Sequence, residues 1–175
     1  MIYQLKISLK GLIPPIWRQV QVDNAVTLET LHHIFQTAMG WENAHLYRFV
    51  IDGLPYGDPA TDGWSNVQPA SQVKLAEVID KAGHKFIYVY DFGDDWQHAV
   101  KIEKILPPDP AVNPAIGLAG RRACPPENCG GIFAYGQMLD ILQDPTDEAY
   151  ADVMARLGQG FDPEAFEIVK VLPGS

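Results

Sequence analysis

The segment from Phe86 to Ile105, FIYVYDFGDDWQHAVKIEKI, carries the most regular β-strand pattern of this chain. Apolar and polar side chains alternate on both sides of a short acidic turn, and a period of two residues is typical of β-strands with one buried face. The sequence therefore predicts a long antiparallel hairpin with three carboxylates at its tip, those of Asp91, Asp94 and Asp95.

The hairpin tip and the histidine beyond it form a candidate metal or acid/base site of Asp91, Asp94, Asp95 and His98. Divalent cations take carboxylate oxygens, and an imidazole completes the shell of a transition metal. The same aspartates also suit a structural turn, because aspartate tolerates positive φ and caps backbone amides. Strand parity places His98 beside Trp96. We therefore expect a packing role for His98 and no bound metal, with a divalent cation as the alternative.

The patterns around the hairpin predict an α+β fold, in which a mainly antiparallel sheet of hairpins packs against helices. Alternation over residues 2–9 and 17–22 predicts a first strand pair, and residues 46–51 predict a third strand. Between them, apolar residues recur at helical spacing from Thr27, the predicted N-cap, to Gly40, the predicted stop. Residues 73–79 predict one helical turn.

The whole chain, residues 1–175, is predicted to be one domain. A sheet-rich part covers residues 1–106, and a loop of residues 107–130 carries many prolines. Apolar spacing over residues 131–175 then predicts a helical C-terminal part with three helices.

Charge and composition narrow the function classes. The chain has 13 basic and 22 acidic residues, a formal charge of -9, which repels phosphate backbones and makes nucleic acid an unfavourable partner. The sequence has no apolar run of about 18 residues, so it predicts no membrane span. Its two cysteines do not form the framework of a disulfide-rich secreted protein. We expect a cytoplasmic protein that does not bind membranes.

The loop before the C-terminal part holds the best candidate anion site. Arg121 and Arg122 supply guanidinium groups, and Gly130 and Gly131 precede a predicted helix whose N-terminal amides favour a phosphate or carboxylate. The arginines are equally suited to pairing with the excess acids of the chain.

Two cysteines, Cys124 and Cys129, lie in the same loop as the arginines. Their spacing lacks the second ligand pair of a zinc site. A disulfide across the loop and a nucleophilic Cys129 before a helix start remain the other interpretations.

Four segments together resemble the plasmid pRiA4b ORF-3-like domain family, and the closing FDPEAFEIV resembles the usual C-terminal ending of that family. The segments are IPPIWRQVQV, TLETLHHIFQTAMGWENAHLYRF, YVYDFGDDWQHAV and CPPENCGG. The resemblance implies a compact α+β domain and an association of some members with mobile genetic elements. It implies no catalytic residues, because members of this family are mostly uncharacterised.

The sequence shows no nucleophile, base and oxyanion donor at interpretable spacing, which favours a non-enzymatic binding or adaptor domain. Its predicted partner is a protein or a small anionic ligand. One alternative is a metal-assisted hydrolase that uses Asp91, Asp94, Asp95 and His98. A weaker one is an anion or nucleotide binder at Arg121 and Arg122.

Overall fold

The stretch from Phe86 to Ile105 folds into the predicted hairpin of β6, Lys85–Tyr90, and β7, Trp96–Leu106. The computed structural model describes all residues from Met1 to Ser175. In the hairpin Tyr88 pairs with His98 and Tyr90 with Trp96, so residues 91–95 form the tip. The predicted hairpin and its five-residue tip are confirmed.

Nine strands form one sheet in the order β5-β4-β3-β6-β7-β1-β2-β8-β9, and only β4 and β5 pair in parallel. The predicted α+β class is confirmed. The remaining strands are β1 Ile2–Leu9, β2 Ile16–Asp23, β3 Tyr47–Ile51, β4 Leu54–Gly57, β5 Gln68–Pro69, β8 Ala115–Arg121 and β9 Val171–Leu172.

Four helices accompany the sheet: α1 Leu28–Met39, α2 Leu75–Val78, α3 Ile132–Leu142 and α4 Tyr150–Leu157. At the start of α1 the Thr27 side chain accepts a hydrogen bond from the amide of Thr30, and at its end Gly40 has φ of 110°. Both predicted caps are therefore confirmed. None of the helices is both long and apolar enough to cross a membrane.

A single apolar core of 33 buried residues joins the sheet to the helices. Leu31 and Phe35 of α1 and Tyr135 of α3 belong to this one cluster and are fully buried. Residues of α3 and α4 therefore pack in the same buried cluster as the strands of the sheet.

Two predictions for the C-terminal half are wrong in part. Residues 115–121, inside the expected loop, form β8 and pair with β2, although small residues weaken their alternation. The third C-terminal helix is absent, because the chain crosses β8 in extended form and ends in β9. Gly120 allows this crossing, since a Cβ there would lie 2.6 Å from the ring of Phe166.

Candidate functional site

Asp91 begins the tip of the β6–β7 hairpin and uses half of its carboxylate to form the turn. Its backbone has φ of 61°, and its Oδ1 accepts hydrogen bonds from the amides of Gly93 and Asp94 at 3.0 and 3.2 Å. The second oxygen, Oδ2, lies 3.5 Å from Nε2 of His45. Asp91 therefore serves the turn through one oxygen and faces a histidine with the other.

Asp94 anchors the hairpin tip to the start of α3. Its Oδ2 accepts a hydrogen bond from the amide of Gly130 at 3.1 Å. A Cβ on Gly131, which has φ of 96°, would lie 2.6 Å from the carbonyl oxygen of Asp94. The carboxylate thus supplies the negative charge that a helix N-terminus favours.

Asp95 and His98, the other two residues predicted for the acidic site, lie elsewhere. Asp95 is exposed and accepts hydrogen bonds from the Gln97 side chain at 3.0 and 3.2 Å. His98 is fully buried, with Nδ1 3.0 Å from the carbonyl oxygen of Tyr88, and its Nε2 accepts from the indole of Trp41 at 3.1 Å. The structure therefore does not bring the four residues together.

The electrostatics of His98 fit its place in the core. An indole donor at Nε2 requires the tautomer with the proton on Nδ1, which donates to the carbonyl of Tyr88. Burial disfavours the charged imidazolium and lowers the pKa of His98 to about 4. At neutral pH the ring is uncharged, and both of its nitrogens are already bonded.

The structure instead joins Asp91 to two residues outside the predicted site, His45 and Glu127. Nε2 of His45 lies 3.5 Å from Asp91 Oδ2 and 3.9 Å from Glu127 Oε2, and all three ligand atoms lie within 4.8 Å of one another. We call these three residues the His-Asp-Glu cluster.

Glu127 reaches the cluster from the loop between the two cysteines and is fixed through one oxygen. Its Oε1 accepts hydrogen bonds from the Tyr90 hydroxyl at 2.8 Å and from the Glu42 amide at 2.9 Å. Burial and the neighbouring carboxylate raise the pKa of Tyr90, so its hydroxyl remains a donor. Glu127 Oε2 is buried and has no hydrogen-bond partner.

His45 completes the cluster from the segment that joins α1 to β3. Its Nε2 also lies 2.7 Å from the side-chain oxygen of Asn128, and its ring meets Tyr90 edge-on with the centroids 5.9 Å apart. The side chain of His45 is 30% exposed, whereas those of Asp91 and Glu127 are 9% and 10% exposed. Solvent therefore reaches the cluster on the histidine side.

The cluster has the dimensions of a cation site. Separations of 3.5, 3.9 and at most 4.8 Å put His45 Nε2, Asp91 Oδ2 and Glu127 Oε2 within about 2.4 Å of a common point, which is about 0.2–0.4 Å longer than zinc–ligand bonds and equal to calcium–oxygen bonds. Tyr90 and the Glu42 amide would orient the Glu127 ligand from outside, as partners of metal ligands commonly do. One nitrogen and two carboxylate oxygens suit zinc or manganese; the cation would take the place of the proton that His45 Nε2 donates to the Asn128 side-chain oxygen.

A polar cavity of about 480 Å³ adjoins the cluster, and His45 forms part of its wall. At the inner wall the ring of His32 stacks on Tyr47 with centroids 3.6 Å apart and contacts the side-chain oxygen of Asn43 at 2.7 Å. Burial lowers the pKa of His32 to about 4, so this ring is neutral at pH 7. Glu29, His33, Asp58 and Thr61 also line the cavity.

The predicted anion site does not present free guanidinium groups together. Arg122 is buried and donates to Glu164 at 3.0 Å and to the carbonyl of Pro14 at 2.6 Å. Arg121 is exposed on the last residue of β8. Gly130 and Gly131 meet the tip of the hairpin, where Asp94 occupies the N-terminus of α3.

Both cysteines are free thiols in surroundings that favour the protonated form. Burial raises the pKa of Cys124 well above its ordinary value and that of Cys129 to about 11. A thiolate nucleophile needs a lowered pKa, so neither cysteine has the electrostatics of one.

Local sequence patterns miss His45 and Glu127 because the cluster is assembled by tertiary contacts. The two residues lie in loops far from each other and from Asp91 in the sequence. Only Glu127 gives a weak local signal. It is an acidic residue that follows two prolines and precedes a glycine-rich helix start, but the cysteines of the same loop attract attention first.

Comparisons with known proteins agree with the fold. The model of the plasmid pRiA4b ORF-3-like protein family matches residues 1–170. An uncharacterized protein of Sinorhizobium fredii, y4hQ, is 35% identical over 158 residues, which cover 90% of this chain and 81% of that protein. A crystal structure of a protein of unknown function from Methanosarcina mazei, MM3350, aligns with a TM-score of 0.85 at 37% identity, covering 95% of this chain and 94% of that chain.

Proposed function

The chain belongs to the plasmid pRiA4b ORF-3-like family, and we propose that it is a binding domain that takes up a divalent cation in the His-Asp-Glu cluster. The cation would then hold a small anionic ligand in the adjoining polar cavity. This function combines the binding role that the sequence favours with a bound metal ion.

The observation that carries the proposal is the position of Glu127 Oε2. This oxygen is buried, has no hydrogen-bond partner and lies 3.9 Å from Nε2 of His45. An unpaired buried acceptor is destabilising, and more so when it is charged. A cation at the cluster would satisfy this oxygen.

The charge of the cluster supports a divalent ion rather than an ion pair with histidine. Asp91 and Glu127 bring two carboxylates, each about nine-tenths buried, and a protonated His45 would compensate only one charge. A divalent cation would balance both and convert like-charge repulsion into ligation.

The position of the cluster at the cavity supports a role in ligand binding. Three protein donors leave coordination positions free, as in metal sites that bind a further group. Glu29 and Asp58 give the cavity wall acidic character, so the cation would supply the positive charge that attracts a carboxylate or phosphate.

Isothermal titration calorimetry with Mn²⁺ and Zn²⁺ on metal-stripped protein tests the proposal. We expect one site per chain in the wild type and at least about a tenfold loss of affinity in Asp91→Asn and Glu127→Gln, because each removes a charged ligand.

Asp95→Asn is the matched control, because it removes the same charge from the exposed side of the same tip. We expect it to bind both ions like the wild type. The proposal fails if the wild type gives no heat of binding with either ion, or if Asp95→Asn weakens binding as much as Asp91→Asn does.

Metal-assisted hydrolysis is a second candidate function, favoured by the free coordination positions beside a polar cavity. Of the four residues that the sequence suggested for it, only Asp91 lies in the cluster. Phosphate-ester and peptide hydrolysis by the metal-loaded protein, measured beside Glu127→Gln, separates the two functions. Hydrolysis lost in the variant would favour the enzyme, whereas metal binding without turnover favours the binding domain.

A further inference from the structure

Three lysines form a row across the outer face of the sheet. In the strand register Lys101 of β7 lies directly opposite Lys85 of β6 on one side and Lys6 of β1 on the other. Neighbouring strands lie about 4.8 Å apart, so the three side chains leave the sheet as close neighbours. We call Lys6, Lys85 and Lys101 the lysine row.

No carboxylate of this acidic chain forms an ion pair with the row. None of its three ammonium groups lies within 4.0 Å of a carboxylate oxygen. Glu103, two residues further along β7, accepts hydrogen bonds from Gln4 and Gln19 instead. Like charges in directly opposite positions destabilise a sheet, and this row occurs in a chain whose formal charge is -9.

A mainly apolar row runs beside the lysine row, two residues away along each strand. It consists of Ile87, Ala99, Ser8 and Trp17, which are paired in that order across β6, β7, β1 and β2. The lysines and the residues of this second row on β6, β7 and β1 line a cleft of about 420 Å³. Lys6 extends over the ring of Trp17, 4.8 Å from its centroid, so the cleft offers positive charge beside an apolar floor.

We propose that this outer face is a docking surface for a protein segment that carries acidic side chains next to apolar ones. Carboxylates of the partner would lie over the lysine row and relieve its repulsion, while apolar side chains would cover Ile87 and Ala99. This surface lies apart from the His-Asp-Glu cluster, and the inference does not rest on the proposed metal binding.

The charge balance favours a protein segment over a nucleic acid as the occupant. A single strand of nucleic acid extends its phosphates well beyond three lysines and would meet the acidic remainder of the surface. A short acidic segment places its charge only where the lysines are, and its apolar residues use the cleft floor. The expected occupant of the cleft is therefore a peptide.

Fluorescence anisotropy with three labelled probes tests the proposal on the full chain. The probes are the acidic peptide Glu-Glu-Leu-Leu repeated three times, the same peptide with lysine in place of glutamate, and a thymidine dodecanucleotide. We expect the acidic peptide to bind, its affinity to fall with added salt, and neither of the other probes to bind.

Lys101→Glu reverses the charge at the centre of the row, and we expect it to weaken binding of the acidic peptide at least about tenfold. Lys81→Glu makes the same charge change at an exposed loop residue and should change the affinity less than about twofold. Circular dichroism and thermal unfolding check that both variants are folded. Because reversing the central charge removes repulsion, Lys101→Glu should lose binding without losing stability.

Several outcomes overturn the proposal. These are no binding of the acidic peptide, equal binding of the basic peptide, tighter binding of the oligonucleotide, or an equal loss of affinity in Lys81→Glu. Metal-stripped wild type should bind the acidic peptide as the untreated protein does. Failure of this docking surface is therefore distinguishable from failure of the metal site.

Discussion

The two faces of the β6–β7 hairpin are built from the same strands. They differ in whether their titratable side chains have bonding partners within the chain. On the inner face Tyr88, Trp96 and His98 are fully buried; both nitrogens of His98 are bonded, whereas the indole N–H of Trp96 has no hydrogen-bond partner. On the outer face Lys85 and Lys101 are exposed, directly opposite each other and without an acidic partner. Strand parity alone separates a histidine occupied by the fold from lysines available to a partner.

The largest expected effect is a loss of stability on the inner face. Trp96 is fully buried in the core, so Trp96→Ala should lower the free energy of unfolding by about 3–5 kcal/mol. Its neighbour Gln97 points to the other face, and Gln97→Ala should stay within about 0.5 kcal/mol of the wild type. Urea unfolding measures both, and equal losses of stability would contradict the difference in burial between the two faces.

The next effect concerns acid and the inner-face histidine. The pKa of His98 is about 4 in the folded protein and 6.5 ordinarily. The stability that the neutral ring contributes to the fold is therefore complete above pH 6.5 and is lost as the pH falls to 4. Linkage gives a loss of about 3 kcal/mol over that interval, because the unfolded chain takes up the proton first.

Replacing His98 by glutamine should therefore flatten the dependence of stability on pH between 6.5 and 4. His32, whose pKa is also about 4, should still contribute its own slope, and a double variant should be flatter again. Urea unfolding at several pH values measures the slopes. A His98→Gln slope equal to that of the wild type would contradict the assignment.

A smaller effect on stability is expected at the hairpin tip, which carries Asp91 of the His-Asp-Glu cluster. Without metal, Glu127→Gln should raise the free energy of unfolding by about 1 kcal/mol, because it removes one of two buried carboxylates. Thermal unfolding of metal-stripped protein tests this. A destabilised variant would indicate that the charge of Glu127 serves the fold.

The smallest effect is expected on the outer face. Lys101→Glu should raise the free energy of unfolding by about 0.2–1 kcal/mol, because it replaces like-charge neighbours by opposite ones. Added salt should reduce the gain. A salt-independent loss of stability would mean that Lys101 contributes through packing.

Much of the fold follows from local patterns because its causes are local. Thr27 and Gly40 bound α1, since a hydroxyl cap and a glycine with positive φ act within one turn. Alternation likewise fixes which side of β7 carries His98. β8 escapes detection because glycine and alanine give its alternation little contrast, and its partner β2 lies far away in sequence.

The candidate site could be predicted only in part, because its contacts join residues that are distant in the sequence. Asp91 stands out because it begins an acidic turn, yet the turn uses one of its oxygens and gives no sign of the other. His45 and Glu127 reach Asp91 through tertiary contacts from two loops. No spacing rule joins residues that far apart, so the cluster becomes visible only in three dimensions.

The central position of β1 has a consequence for synthesis on the ribosome. β1 lies between β2 and β7, so its second neighbour, residues 96–106, emerges long after residues 2–9. At about 5–20 residues per second the nascent β1–β2 hairpin waits on the order of 5–20 s with both outer edges unpaired, because β8, the other neighbour of β2, emerges later than β7. During that interval the nascent chain exposes an apolar strand edge, and we expect it to be a client of ribosome-associated chaperones.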